Sequence, residues 1–147
     1  MKTVIFAEKP SQARDYANAL GIKKKHKEYI EIKDSEIISN AIVTWGYGHL
    51  VELKLPKDYK EPVNNWKIEN LPYKPEPFEF KVGKDKNAQF NIVKKFFKDA
   101  DLIINATDID REGSNIFYST LNLTGAKSKP IKRLWINSTV DSEIIKG

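Results

Sequence analysis

The sequence predicts an α/β fold with a mainly parallel central sheet and helices on both faces. Three observations carry that expectation. Short apolar runs that read as buried strands alternate with segments of helical periodicity, the order a parallel sheet requires. Two of these runs, Thr3–Ala7 and 102–106, end in carboxylates: Glu8 after the first, then Asp108, Asp110 and Glu112 after the second. Between them, residues 46–82 break the alternation with prolines at 56, 62, 72, 75 and 77.

Thr3–Ala7 is β-rich and reads as a central strand. Pro10 and Ser11 mark a helix start, with Ser11 or its neighbour as the cap. Ala13, Tyr16, Ala17 and Leu20 recur at i, i+3, i+4 and i+7, and Gly21 closes the helix. Lys23-Lys24-Lys25-His26-Lys27 reads as a connection, either a solvated loop or one facing phosphate. Tyr29-Ile30-Glu31-Ile32 alternates as a half-exposed strand, and Ala41-Ile42-Val43-Thr44-Trp45 reads as a more buried one.

Residues 46–82 read as an insertion packed over the sheet. Tyr59, Trp66, Tyr73 and Phe78 are interleaved there with lysines, more aromatics than a disordered linker carries. Gly46-Tyr47-Gly48-His49 allows close backbone approach, and His49 is either a structural hydrogen-bonder or a catalyst. Residues 85–100 are helical, with Phe90, Val93 and Phe97 on one face and lysines on the other. After the strand at 102–106, residues 114–123 form a helix with Ile116, Phe117 and Leu121 inward and Gly125 as its stop. Residues 131–136 are a further strand, broken by Lys132 and Arg133. Residues 141–147 look like a helix just begun, as in a domain belonging to a longer polypeptide.

Composition narrows the class. The 147 residues suffice for one domain with its own core, spanning 1–147. No apolar stretch nears the ~20 residues of a membrane helix. The first apolar run stops at Glu8, too early for a secretory signal. The absence of cysteine excludes disulfides and thiolate metal sites and suits a cytoplasmic protein. With only His26 and His49, a His-rich zinc site is disfavoured. A net charge of +5 points toward polyanions, and within this basic chain the acids are concentrated in one place.

Carboxylates crowded at a strand end repel one another unless a positive group joins them. Oxygen ligands at this density suit a hard divalent cation; the plain alternative is a solvated turn rich in Asp. An EF-hand is excluded, because Ser119 stands where the bidentate Glu should be. In parallel sheets ligands bind beyond the carboxyl ends of the strands. If the first strand and the strand at 102–106 are neighbours, Glu8 converges with Asp108 and Asp110.

On an extended strand end Asp108 and Asp110 would point the same way and share one cation, which would neutralise a phosphate or a leaving oxygen. Glu8 beside them would be raised toward a general acid. Lys9 suits a phosphate as a point charge, and Arg111 does likewise or pairs with Glu112. Trp66 either stacks on a nucleobase or fills a core. An aspartyl-phosphate phosphatase would carry Thr after its second Asp, where Arg-Glu-Gly follows here. A docking module held by a metal would need neither Glu8 nor Lys9.

Ala7-Glu8-Lys9-Pro10-Ser11 together with Thr107-Asp108-Ile109-Asp110-Arg111-Glu112-Gly113 resembles the Toprim domain of type IA DNA topoisomerases, most nearly the bacterial topoisomerase III subfamily. Gly48-His49-Leu50, the Trp66…Leu71-Pro72 spacing and Arg133-Leu134-Trp135-Ile136 are similar to the same region. The resemblance spans nearly the whole chain. Other Toprim proteins, primases and some nucleases, share the acids but not the Ala-Glu-Lys-Pro-Ser opening.

The resemblance implies a Rossmann-like Toprim fold with Glu8, Asp108, Asp110 and Glu112 associated with Mg²⁺, for which Mn²⁺ would substitute. It implies Glu8 and Lys9 as catalytic residues, and Lys9, Trp66 and Arg111 as DNA contacts. The implied activity is ATP-independent cleavage and resealing of one DNA strand, in relaxation or decatenation. The nucleophilic tyrosine would lie in a later domain, so the implied partners are single-stranded DNA and the rest of the same polypeptide. The chain by itself would be a monomer inactive in relaxation. Ser114 departs from the family's Asp-Arg-Glu-Gly-Glu, replacing its second Glu. Two alternatives stand beside this reading: a Toprim nuclease or primase-like phosphotransfer domain, and a non-catalytic metal-dependent nucleic-acid-binding module.

Overall fold

The computed structural model describes residues 1–59, 68–72, 74–75 and 77–147. In chain order its elements are β1 (Thr3–Ala7), α1 (Pro10–Leu20), β2 (Ile22–Lys25), β3 (Tyr29–Ile32), β4 (Ala41–Trp45), β5 (Val51–Leu53), β6 (Phe80–Val82), α2 (Asn87–Asp99), β7 (Leu102–Asn105), α3 (Arg111–Thr124), β8 (Ile131–Arg133) and α4 (Asp141–Lys146). Six strands form one sheet in the order β2-β3-β4-β1-β7-β8. β1 pairs in parallel with β4 and β7, and β7 in parallel with β8; β3 joins β4 and β2 in antiparallel fashion. The sheet is therefore mainly parallel, as expected.

β1 sits at the centre because every one of its five residues is buried, with no polar face to leave wet. Its alternating side chains feed two cores. Val4 and Phe6 pack with Phe90, Val93 and Phe97 of α2 and Ile116, Phe117 and Leu121 of α3. Ile5 and Ala7 pack on the other face with Ala13, Tyr16 and Ala17 of α1 and Ile144 of α4. In the first core the rings of Phe6 and Phe97 meet edge to face at 5.6 Å, and Phe117 lies 6.1 Å from both.

β5 and β6 form a separate antiparallel pair, with Val51 opposite Val82, at the base of the predicted insertion. Leu50 and Val51 are buried in the α2–α3 core, which anchors this pair against the main domain. Lys81 reaches Asp58 at 2.8 Å across its outer surface. Trp66, Tyr73 and Pro62 lie outside the described residues. Among the described residues, no helix is long and apolar enough to cross a membrane.

Four local expectations are corrected. The lysine run is a connection only in part: Ile22–Lys25 is a strand, paired with β3 through Ile22–Ile32 and Lys25–Ile30, and only His26 and Lys27 belong to the turn into β3. Its outward lysines gave it the look of a loop, while Ile22 supplies the inward contact. β8 ends at Arg133, because β7 ends opposite it at Asn105 and leaves no partner for further pairing. Leu134 and Ile136 turn instead onto the α1–α4 core. The cap of α1 is Lys9, not Ser11; its side chain makes no capping bond, and Pro10 takes the first helical position. α3 begins at Arg111 rather than 114, because Asp110 caps it.

Candidate functional site

The parallel pairing of β1 with β7 settles the question left by the sequence. The register sets Phe6 opposite Asn105, and the ladder continues one step through Ala106 N–H donating to Phe6 O at 2.9 Å. Glu8 and Asp108 then leave adjacent strand ends on the same edge. The Asp108 N–H donates to Glu8 Oε2 at 3.3 Å.

The two aspartates are not on an extended strand end, as the sequence suggested. The strand stops at Asn105, and residues 106–110 turn into α3. Asp108 Oδ1 accepts from Gln12 Nε2 at 2.8 Å, while Asp110 Oδ1 accepts from Gly113 N–H at 2.6 Å as the helix cap. One oxygen of each carboxylate is thus engaged in holding the turn. A negative charge at a helix N-terminus is itself favoured by the helix dipole.

The turn is tightly built. A Cβ on Gly113 would lie 2.3 Å from Asp108 O and 2.9 Å from Asp108 N, so this position admits no side chain. Thr107, buried, accepts from Arg133 Nη1 at 3.0 Å; its single hydroxyl proton serves either Asn105 Oδ1 at 2.7 Å or Gly113 O at 2.9 Å. Arg133 Nη2 donates to Asp108 O. On the other side, Gly46 N–H donates to Ala7 O at 3.1 Å and Gly48 N–H to Glu8 O at 3.0 Å. The expected close approach at Gly46 is present, since a Cβ there would meet Gly48 O at 2.8 Å. Lys86 Nζ donates to the His49 carbonyl and draws this loop toward α2.

Burial, first, and then the charges of Asp108 and Asp110 push the Glu8 carboxyl above the ordinary carboxylate range, against the opposing pull of the Asp108 N–H. Both aspartates are exposed. Glu112, also exposed, stands 3.7 Å from His49 Nε2, and among the described residues no ion pair joins it to Arg111. Lys9 is exposed beside Glu8, and Arg111 lines an open groove with Tyr118, Arg133 and Trp135. Trp66 lies outside the described residues.

The structure therefore brings Glu8, Asp108 and Asp110 together, with Lys9, Arg111 and Glu112 on the rim. Sequence reasoning missed Gln12, which stands on the first turn of α1, and the part of Arg133 in the turn. Their partners are 96 and 25 positions away, and no local spacing signals them.

The donor set is all oxygen. Among the described residues, no three acidic or histidine side chains already stand as a cation cage. A cation such as Mg²⁺ takes one or two protein carboxylates and fills its shell with phosphate oxygens and water, which fits this arrangement.

The Toprim domain family matches residues 3–139. DNA topoisomerase 3 of Staphylococcus epidermidis is 43% identical over the whole chain, and that of Bacillus subtilis 42% identical over 99% of it. The chain spans about a fifth of the length of these relatives (20% and 19%). The full-length topoisomerase I structure from Thermotoga maritima superposes with a TM-score of 0.60 over 97% of this chain and 20% of its own, at 23% identity, a likeness of fold. With the strand order, the acidic edge and this match over nearly its whole length in agreement, the chain belongs to the Toprim domain family.

Proposed function

We propose that this domain supplies the acid and metal half of a type IA DNA topoisomerase active site, as part of a longer polypeptide that also carries the nucleophilic tyrosine. The convergence of Glu8 with Asp108 and Asp110 on one edge of the sheet carries this reading. The similarity to DNA topoisomerase 3 relatives about five times longer supports it.

Asp108 and Asp110, with Glu8 and Glu112 at their side, would hold Mg²⁺, or Mn²⁺ in its place. When bound, the cation supplies positive charge against the phosphates flanking the cut. Glu8 acts as the general acid, protonating the departing 3′ oxygen and taking the proton back on resealing; in the metal-free domain burial and the neighbouring aspartates hold its carboxyl above the ordinary range. Lys9 neutralises the scissile phosphate as a point charge. Arg111 and Trp66 contact single-stranded DNA, the arginine through phosphate and the tryptophan by stacking. Cytoplasmic, monomeric action on DNA without ATP completes the reading.

A Mn²⁺ titration of the isotopically labelled domain, followed by paramagnetic broadening of backbone amide signals, tests it. Broadening centred on Glu8, Asp108 and Asp110 together is expected. Broadening confined to 108–112, with Glu8 untouched, would remove Glu8 from the chemistry and favour a metal-dependent binding module.

A further inference from the structure

We infer that Gln12 is a positioning residue whose side-chain amide ties the Asp108 carboxylate to the backbone of Glu8 and so sets the spacing of the two acids. Its value to catalysis rests on the function proposed above; the geometry stands without it.

Gln12 is 6% exposed, on the first turn of α1. Its Oε1 accepts from the Glu8 N–H at 2.9 Å, and its Nε2 donates to Asp108 Oδ1 at 2.8 Å. These two contacts fix the orientation of the amide. The Glu8 N–H can only donate, so the oxygen must face it, and the nitrogen then has Asp108 before it. The backbone group it satisfies also matters, because Glu8 lies past the end of β1 and before the cap residue of α1, so its N–H belongs to neither element's own ladder. A Gln three residues after the cap residue Lys9 reaches back to satisfy the amide just ahead of that cap.

Glutamine is the side chain that can do both jobs. A glutamate here could accept from Glu8 N–H but would set another carboxylate against Asp108. A methionine of similar length would fill the space and make neither bond. Gln12 thereby holds Asp108 without cancelling its charge, leaving Asp108 Oδ2 unclaimed by this amide. Glu8, Gln12 and Asp108 close a small ring, since the Asp108 N–H returns to Glu8 Oε2. Residues that orient a metal-binding carboxylate from behind typically change affinity when removed.

Two measurements test this. In the labelled wild-type domain, a scalar coupling across the hydrogen bond between Gln12 Nε2 and Asp108 Cγ is expected, with slowed exchange of the side-chain amide protons. Its absence, with an amide exchanging at the rate of an exposed glutamine, overturns the clamp. In Gln12→Met, Mn²⁺ affinity measured by water-proton relaxation should fall by about tenfold, with the amide spectrum of the sheet retained. Unchanged affinity in a folded variant overturns the positioning role. If Gln12→Met does not fold, the wild-type coupling decides. Should the wild-type domain take no Mn²⁺ near Glu8, the proposed function fails while the coupling still tests the clamp.

Discussion

The Asp108 N–H donates to Glu8 Oε2 at 3.3 Å, joining the ends of two strands whose residues lie 100 positions apart. A main-chain group of one acid thus serves the carboxylate of the other, while their charges oppose. That pairing of attraction and repulsion makes the pH behaviour of the domain informative.

A carboxyl raised in the folded chain binds its proton more tightly there than in the unfolded chain. Folding stability therefore falls as pH rises from the ordinary carboxylate value through the raised value of Glu8, and stays lower above it. Glu8→Gln removes that penalty. It should melt above the wild type at pH 7, and the gap should close below about pH 4, where Glu8 is protonated in both states. Thermal denaturation against pH, without divalent metal, checks the sign; a variant melting lower at pH 7 would contradict it.

Asp110 carries two roles that substitution can separate. Asp110→Ala loses the cap on α3 and should cost about 1 kcal/mol, whereas Asp110→Asn keeps an oxygen for the Gly113 N–H and should cost only a few tenths. Both remove the charge, so both should weaken Mn²⁺ binding. Urea denaturation and Mn²⁺ titration on the same two variants would show whether cap and ligand are distinct.

Gly113→Ala should destabilise by about 2–3 kcal/mol, because the added methyl meets the Asp108 backbone rather than a side chain that could swing aside. Gly125→Ala makes a useful contrast, since it meets nothing in space but sits at a φ of +77° that favours glycine. Urea midpoints of the two report crowding in one case and backbone conformation in the other.

The chain alone should leave supercoiled plasmid unrelaxed at any Mg²⁺ concentration. Of its tyrosines, Tyr16 is buried with its hydroxyl donating to Ala106 O at 2.8 Å, and burial, then the charge of Asp108, raises its pKa further from reach. Gel analysis after incubation with Mg²⁺ checks this, and relaxation by the pure chain would contradict the division of labour proposed here.

Much of this architecture was legible in the residues. β1, β4 and the helical faces of Phe90-Val93-Phe97 and Ala13-Tyr16-Ala17 declared themselves because burial demands apolar spacing. The acids at 8, 108 and 110 were legible as chemistry, since their crowding needs a reason. The turn that carries Asp108 was not. An Asp that caps a helix and an Asp at a strand end look alike in sequence, and Gly113 N–H decides between them only in space. Gln12 was hidden for a different reason: its amide satisfies one neighbour four residues back and another 96 residues on.

The two outermost strands of the sheet, β2 and β8, each leave one edge without a partner strand among the described residues. β2 presents Lys23, Lys24 and Lys25 to solvent, and β8 at the far side presents Lys132, its Arg133 being turned onto Thr107 and Asp108. Unpaired strand edges invite another chain to extend the sheet, and fixed positive charge along them discourages it by like-charge repulsion between copies. Along β2 that like charge opposes the edge-to-edge pairing of two copies of this chain.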